Sequence, residues 1–120
     1  MSISNYAENA LLDTLRNVSF TVASTYVKLH LGDPGEDGTN NAAAETTRQA
    51  ASWSAASSGS IATSGTVEWT NVSTTEIYTH WSLWDASTAG NCLWTGALGA
   101  SASMTAGDTF QITSLTLSLD

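Results

Sequence analysis

The chain has 120 residues and 12.5 kDa, three Lys/Arg against eleven Asp/Glu, and a single cysteine. That length suits one ordinary domain rather than two, so 1–120 is read as a single unit. A net charge of −8 argues against nucleic acid and anionic membrane as partners, the Ser/Thr-rich, Lys/Arg-poor composition argues against a coiled coil or helical bundle, and Cys92 alone excludes an intrachain disulfide or a thiolate-cluster zinc site.

No apolar run reaches the length of a membrane-spanning helix, and Glu8 and Asp13 stand where a signal peptide would need a basic start and an apolar middle. The N-terminal region 1–17 instead predicts a helix over about residues 5–16. Asn5 followed by Glu8 has capping-box spacing. Ile3, Tyr6, Ala7, Ala10, Leu11 and Leu15 recur at three- and four-residue steps, giving one apolar stripe. Leu12 falls off that stripe, so the helix is expected to pack on its own domain with one side and on a neighbour with the other.

After Asn17 the period changes. Tyr26 to Leu31 alternates, which predicts a strand with Val27, Leu29 and Leu31 inward. Gly32, Pro34, Gly35 and Gly38 then break the chain into a long acidic loop, 33–47, that presents Asp33, Glu36 and Asp37. Further alternating runs are Gln49-Ala51-Trp53, Val67-Trp69, and Ile77-Thr79-Trp81-Leu83 opposed by Tyr78-His80-Ser82-Trp84. Trp81 and Trp84 differ in parity, so one must leave the core; Trp84 is expected outside, and with Tyr78 and Leu12 it is a candidate for burial between subunits. Near the C-terminus, Phe110 and Ile112 are apolar at even positions and Leu115, Leu117 and Leu119 at odd ones, which predicts a bulge near Thr113-Ser114.

About seven or eight short strands separated by turn signals give a mainly β fold, an antiparallel β-sandwich or jelly-roll-like domain with a short N-terminal α-helix. Its expected core contains Trp53, Trp69, Trp81, Val27, Leu29, Leu31, Val67, Leu83 and Leu117.

Three groupings could carry chemistry. His80, Ser82 and Asp85 lie on one strand, but a hydrolytic triad needs partners converging from different segments, and no nucleophile elbow is present. His30, His80 and Asp33 could meet only by folding, without a metal-ligand spacing to support them. Asp33, Glu36, Asp37, Asn40 and Asn41 offer oxygen ligands, but Pro34 and Gly35 interrupt the alternation a calcium loop uses. The residues therefore predict no enzyme, no metal and no cofactor. Five tryptophans could build either a sugar platform or a core.

Six separated blocks resemble one family of proteins: Ser4 to Asp13, Tyr26 to Gly35, Arg48-Gln49-Ala50, Thr79 to Ala86, Gly90 to Leu93, and Gly107-Asp108-Thr109. They resemble small tailed-bacteriophage virion structural proteins, often labelled tail fibre or minor structural proteins, with Thr46-Thr47 standing where that family has Gly-Tyr. The resemblance implies a virion protein made in the host cytoplasm. Because the chain has no repeat or heptad from which to build a shaft, the first expectation is a capsid decoration (cement) protein docking on the major capsid protein or other virion proteins. A tail-associated or head-fibre component is the second, and a glycan-binding module for host attachment the third. Self-association is expected, a trimer being favoured. The interface candidates are Tyr6, Leu11, Leu12, Leu15, Asp33, Glu36, Asp37, Tyr78 and Trp84.

Overall fold

The computed structural model describes residues 1–119. In chain order the strands are β1 (Ser2–Ile3), β2 (Thr25–His30), β3 (Gln49–Ala51), β4 (Ser60–Ala62), β5 (Val67–Trp69), β6 (Glu76–Trp84), β7 (Cys92–Met104), β8 (Phe110–Ile112) and β9 (Thr116–Ser118), with helix α1 (Asn5–Asp13) between β1 and β2. Five strands form one antiparallel sheet in the order β1-β7-β6-β2-β3. Opposite it lie two antiparallel ribbons, β4–β9 and β5–β8. The core fills the space between these layers: Val27, Leu29, Tyr78, Trp81 and Leu83 from the sheet meet Val67, Trp69, Phe110, Ile112 and Leu117 from the ribbons.

Helix α1 starts at Asn5, as its spacing suggested, but its capping residue is one position earlier than expected. Ser4 is the cap: its Oγ accepts the Ala7 amide at 3.1 Å and donates to the Cys92 carbonyl at 2.6 Å, so one hydroxyl both caps the helix and ties it to β7. The last turn, Thr14–Arg16, tightens to 3-10 geometry and ends at Asn17, whose φ of 68° suits a small polar residue.

Four sequence expectations are corrected by the register. Between Tyr78 and His80 the β6–β7 ladder is irregular, advancing from the His80–Ala97 pair to the Tyr78–Ala102 pair. This break turns Tyr78 into the core and leaves Ile77, expected inward, 53% exposed. Leu31 is exposed rather than in the core because β2 ends at His30 and the chain turns away at Gly32. Trp53 is only half-buried, its indole N–H donating to Thr25 Oγ1 at 2.8 Å. The phase shift at Thr113-Ser114 is a change of partner rather than a bulge, since β8 pairs with β5 and β9 with β4.

Trp84 does stand on the opposite sheet face from Trp81, as parity requires, but that face is covered. The acidic loop folds back across it and leaves Trp84 only 7% exposed.

Candidate docking surface

Helix α1 is amphipathic only in part. Its packing onto β7 buries Ala7 and leaves Tyr6, Leu11, Leu12 and Leu15 exposed, Leu12 by 64% and Leu15 by 86%. Beside the helix, Ile3, Leu11, Phe20, Val22, Trp53, Trp94 and Leu119 line an apolar groove of about 330 Å³ that reaches down to Leu83 and Leu117. A second depression shares Ile3, Leu11 and Leu119 with it and adds Leu12, with Glu8 and Asn9 at its polar side. One end of the sandwich is therefore a continuous apolar surface, and surfaces of that kind mark sites of association.

The groove was only half visible in the sequence. Leu11 follows from helical spacing, whereas nothing in the sequence places Phe20 and Val22 beside it. The missed signal is the alternation Val18-Phe20-Val22, a strand-like pattern in a segment that forms no strand.

The acidic loop is the other expected contact region, and it is well ordered by its own bonds. Asn40 donates its amide to the Pro34 carbonyl at 2.9 Å, Leu31 its amide to Asn41 at 2.8 Å, and Asn41 Nδ2 to Asp33 O at 2.9 Å. Pro34 and Gly38 point inward and are buried, while Asp33, Glu36 and Asp37 stay on the rim. Asp33 accepts the Gly35 amide and Asp37 the Thr39 amide and hydroxyl, and the Thr39 hydroxyl bond lowers the Asp37 pKa below its usual value. Glu36 and Asp37 border one crevice with Asn5 and Tyr6, so the structure places the loop against the start of the helix.

Beneath the loop lies a polar layer. His30 is fully buried; its Nδ1 donates to the Asn40 carbonyl at 2.8 Å, and its Nε2 accepts from Ser82 Oγ at 2.7 Å. Ser82 Oγ also accepts the Trp84 indole N–H at 2.7 Å. A serine and a histidine thus meet, but both side chains are fully buried beneath the loop, out of reach of a substrate. Over the Trp84 ring sits the Arg48 guanidinium at 4.1 Å, donating also to the Ala86 and Ala89 carbonyls at 2.8 and 2.7 Å. Lys28 approaches the same ring at 5.9 Å; burial first, and the Arg48 charge second, lower its pKa. Burial pushes the Cys92 thiol up to about 11.

Tyr78 and Trp84, expected between subunits, are thus corrected: both are consumed inside the protomer, Tyr78 by the ladder irregularity and Trp84 by the loop. Of the tryptophans, Trp69, Trp81 and Trp84 are buried, and Trp53 and Trp94 line the apolar groove.

The family model described as podophage GP4 fiber I protein gp80 matches residues 2–120, and the chain belongs to this family of phage fibre proteins, whose place is the virion. No curated protein matches the chain. Among the described residues no helix is long and apolar enough to cross a membrane.

Proposed function

We propose that this protein is a non-enzymatic subunit of a virion fibre that docks onto other virion proteins, and onto copies of itself in a cyclic oligomer, through its helix-bearing end. The observation that carries this reading is the continuous apolar surface formed by Leu11, Leu12, Leu119 and the groove beside them. Such a surface supplies the buried centre of an interface, and the Asp33, Glu36 and Asp37 rim supplies polar contacts that set register. Among closed cyclic arrangements, each of which buries one apolar end per copy, a trimer is the order we favour.

Capsid decoration is the second reading. The longest dimension of the molecule is 48 Å and its charge is −8, which suits a compact body held outside a shell as well as a short fibre.

Leu12→Asp tests the docking surface. Leu12 lies on the outer side of α1, so the variant is expected to fold and to be absent from purified virions; normal incorporation overturns the reading. Gel densitometry of virions, normalised to the major capsid protein, separates the two roles: few copies mean a fibre, hundreds mean decoration.

A further inference from the structure

We infer that residues 1–16 are an exchangeable arm, which in the assembled protein leaves its own sandwich and lays its β1–α1 unit on the β7 edge of a second copy. This rests on the self-association proposed above and specifies how it is made.

The contacts that hold the arm to the body, the burial of Ala7 and Ser4 against β7 among them, are distant in sequence. Ser2 and Ile3 pair with Thr95 and Trp94, the Ser4 amide donates to the Leu93 carbonyl at 2.9 Å, and the Ser4 hydroxyl donates to the Cys92 carbonyl. Each of these bonds forms identically whichever copy supplies the arm. Exchange therefore leaves their energy unchanged, which is the general condition under which swapping is a low-cost route to oligomers.

The connection between arm and body is built for extension. Asn17 ends the helix, the Val18 amide makes the last bond back to it through the Asp13 carbonyl at 3.2 Å, and β2 begins at Thr25. Among the described residues, Ser19 to Ser24 make no hydrogen bond to the rest of the chain. The stretch is uncharged and carries Phe20, Thr21 and Val22, strand-forming residues that the closed protomer leaves without a partner strand, Phe20 packing edge-on against Tyr6 of the arm. Fully extended, residues 17–24 span up to about 26 Å at ~3.3 Å per residue. The two short dimensions of the molecule are 26 and 23 Å, so the arm can reach an adjacent copy.

What exchange gains is burial. In the closed protomer Leu12, Leu15, Val18 and Val22 remain exposed. An arm crossing to a neighbour carries those side chains into the boundary between copies, where the open groove lies.

The test uses two single variants of the full chain, Ser2→Cys and Thr95→Cys, each with Cys92→Ala. The two positions are directly opposed across an antiparallel ladder, a spacing that a disulfide accepts. Co-expressed and oxidised, the two variants can link these positions only between chains. The expected result is a disulfide-linked dimer of the two variants on non-reducing gels, together with interchain rather than intrachain closure in the Ser2→Cys/Thr95→Cys double variant. An oligomer in which the double variant closes only within chains and the mixed singles stay unlinked overturns exchange while leaving self-association intact. A species that sediments as a monomer, alone and in virion assembly, overturns both.

Discussion

His30 and Ser82 are joined across β2 and β6 by a 2.7 Å hydrogen bond whose direction is fixed by their other partners. The Asn40 carbonyl can only accept, so His30 Nδ1 carries the proton and Nε2 must accept from the serine hydroxyl. Ser82 Oγ is then free to accept from Trp84. One hydroxyl thus satisfies two buried rings, and His30 in turn links the sheet to the loop that covers it.

Ser82→Ala removes the partner of both rings at once. Each buried group left unpaired costs about 1–3 kcal/mol, so a loss of about 2–6 kcal/mol is expected in urea unfolding. A change within about 0.5 kcal/mol, the usual range of surface substitutions, would show that the network contributes little.

The same network makes stability depend on pH. Burial first, with the Lys28 charge and the proximity of His80 adding to it, lowers the His30 pKa; the Asn40 and Asn41 backbone bonds only partly oppose this. The folded state therefore resists a proton that the unfolded chain accepts below about 6.5. The contribution is fully present above that pH and is lost as the pH falls toward the folded pKa. NMR titration is expected to place His30 below the ordinary histidine value, and His30→Gln should flatten the dependence of the urea midpoint between about pH 7 and 5. A His30 pKa at or above the unfolded value contradicts this.

Gly38 is where the loop comes closest to the sheet. Its φ is +72°, and a Cβ there would meet Cys92 Sγ at 2.7 Å and Trp84 Cζ2 at 3.0 Å. Gly38→Ala is expected to cost about 1–3 kcal/mol and to lift the loop off Cys92. The readout is the thiol, now buried with its pKa near 11: its reaction with a thiol reagent should accelerate at least severalfold. An unchanged rate means that the loop does not shield it.

Much of this architecture was legible in the chain because side-chain alternation has a period of two. Val27, Leu29, Val67, Trp69, Trp81, Leu83 and Leu117 all lie in the core as their parity indicated. Parity fails where a ladder slips, and no local residue type announces the slip at Thr79, so Tyr78 and Ile77 exchanged places. It is also silent about what covers a face: that Trp84 points away from the core follows from sequence, but that residues 31–41 return over it depends on non-local contacts. Of the candidate surface, the helical leucines were readable from their spacing. Phe20 and Val22 were not, because a strand pattern without a partner strand predicts the wrong structure.

Tyr78 supplies the last expectation, and it reverses the usual sign for a core substitution. The side chain is fully buried, packed against Phe110 with ring centroids 5.3 Å apart, and among the described residues its hydroxyl has no hydrogen-bond partner. Burial first, and the nearby Glu76 and Glu45 carboxylates second, raise its pKa to about 12. The phenol is thus neutral at neutral pH, and its O–H is desolvated without compensation. Tyr78→Phe keeps the ring and its packing while removing that unpaired group, so it is expected to leave stability unchanged or raise it by about 1 kcal/mol. Tyr78→Ala, which empties the site, should cost about 3–5 kcal/mol. If the phenylalanine variant instead lost more than about 1 kcal/mol, the hydroxyl would have to be satisfied in solution, and an ordered water bridging it to Glu45 or Glu76 would be the group to look for.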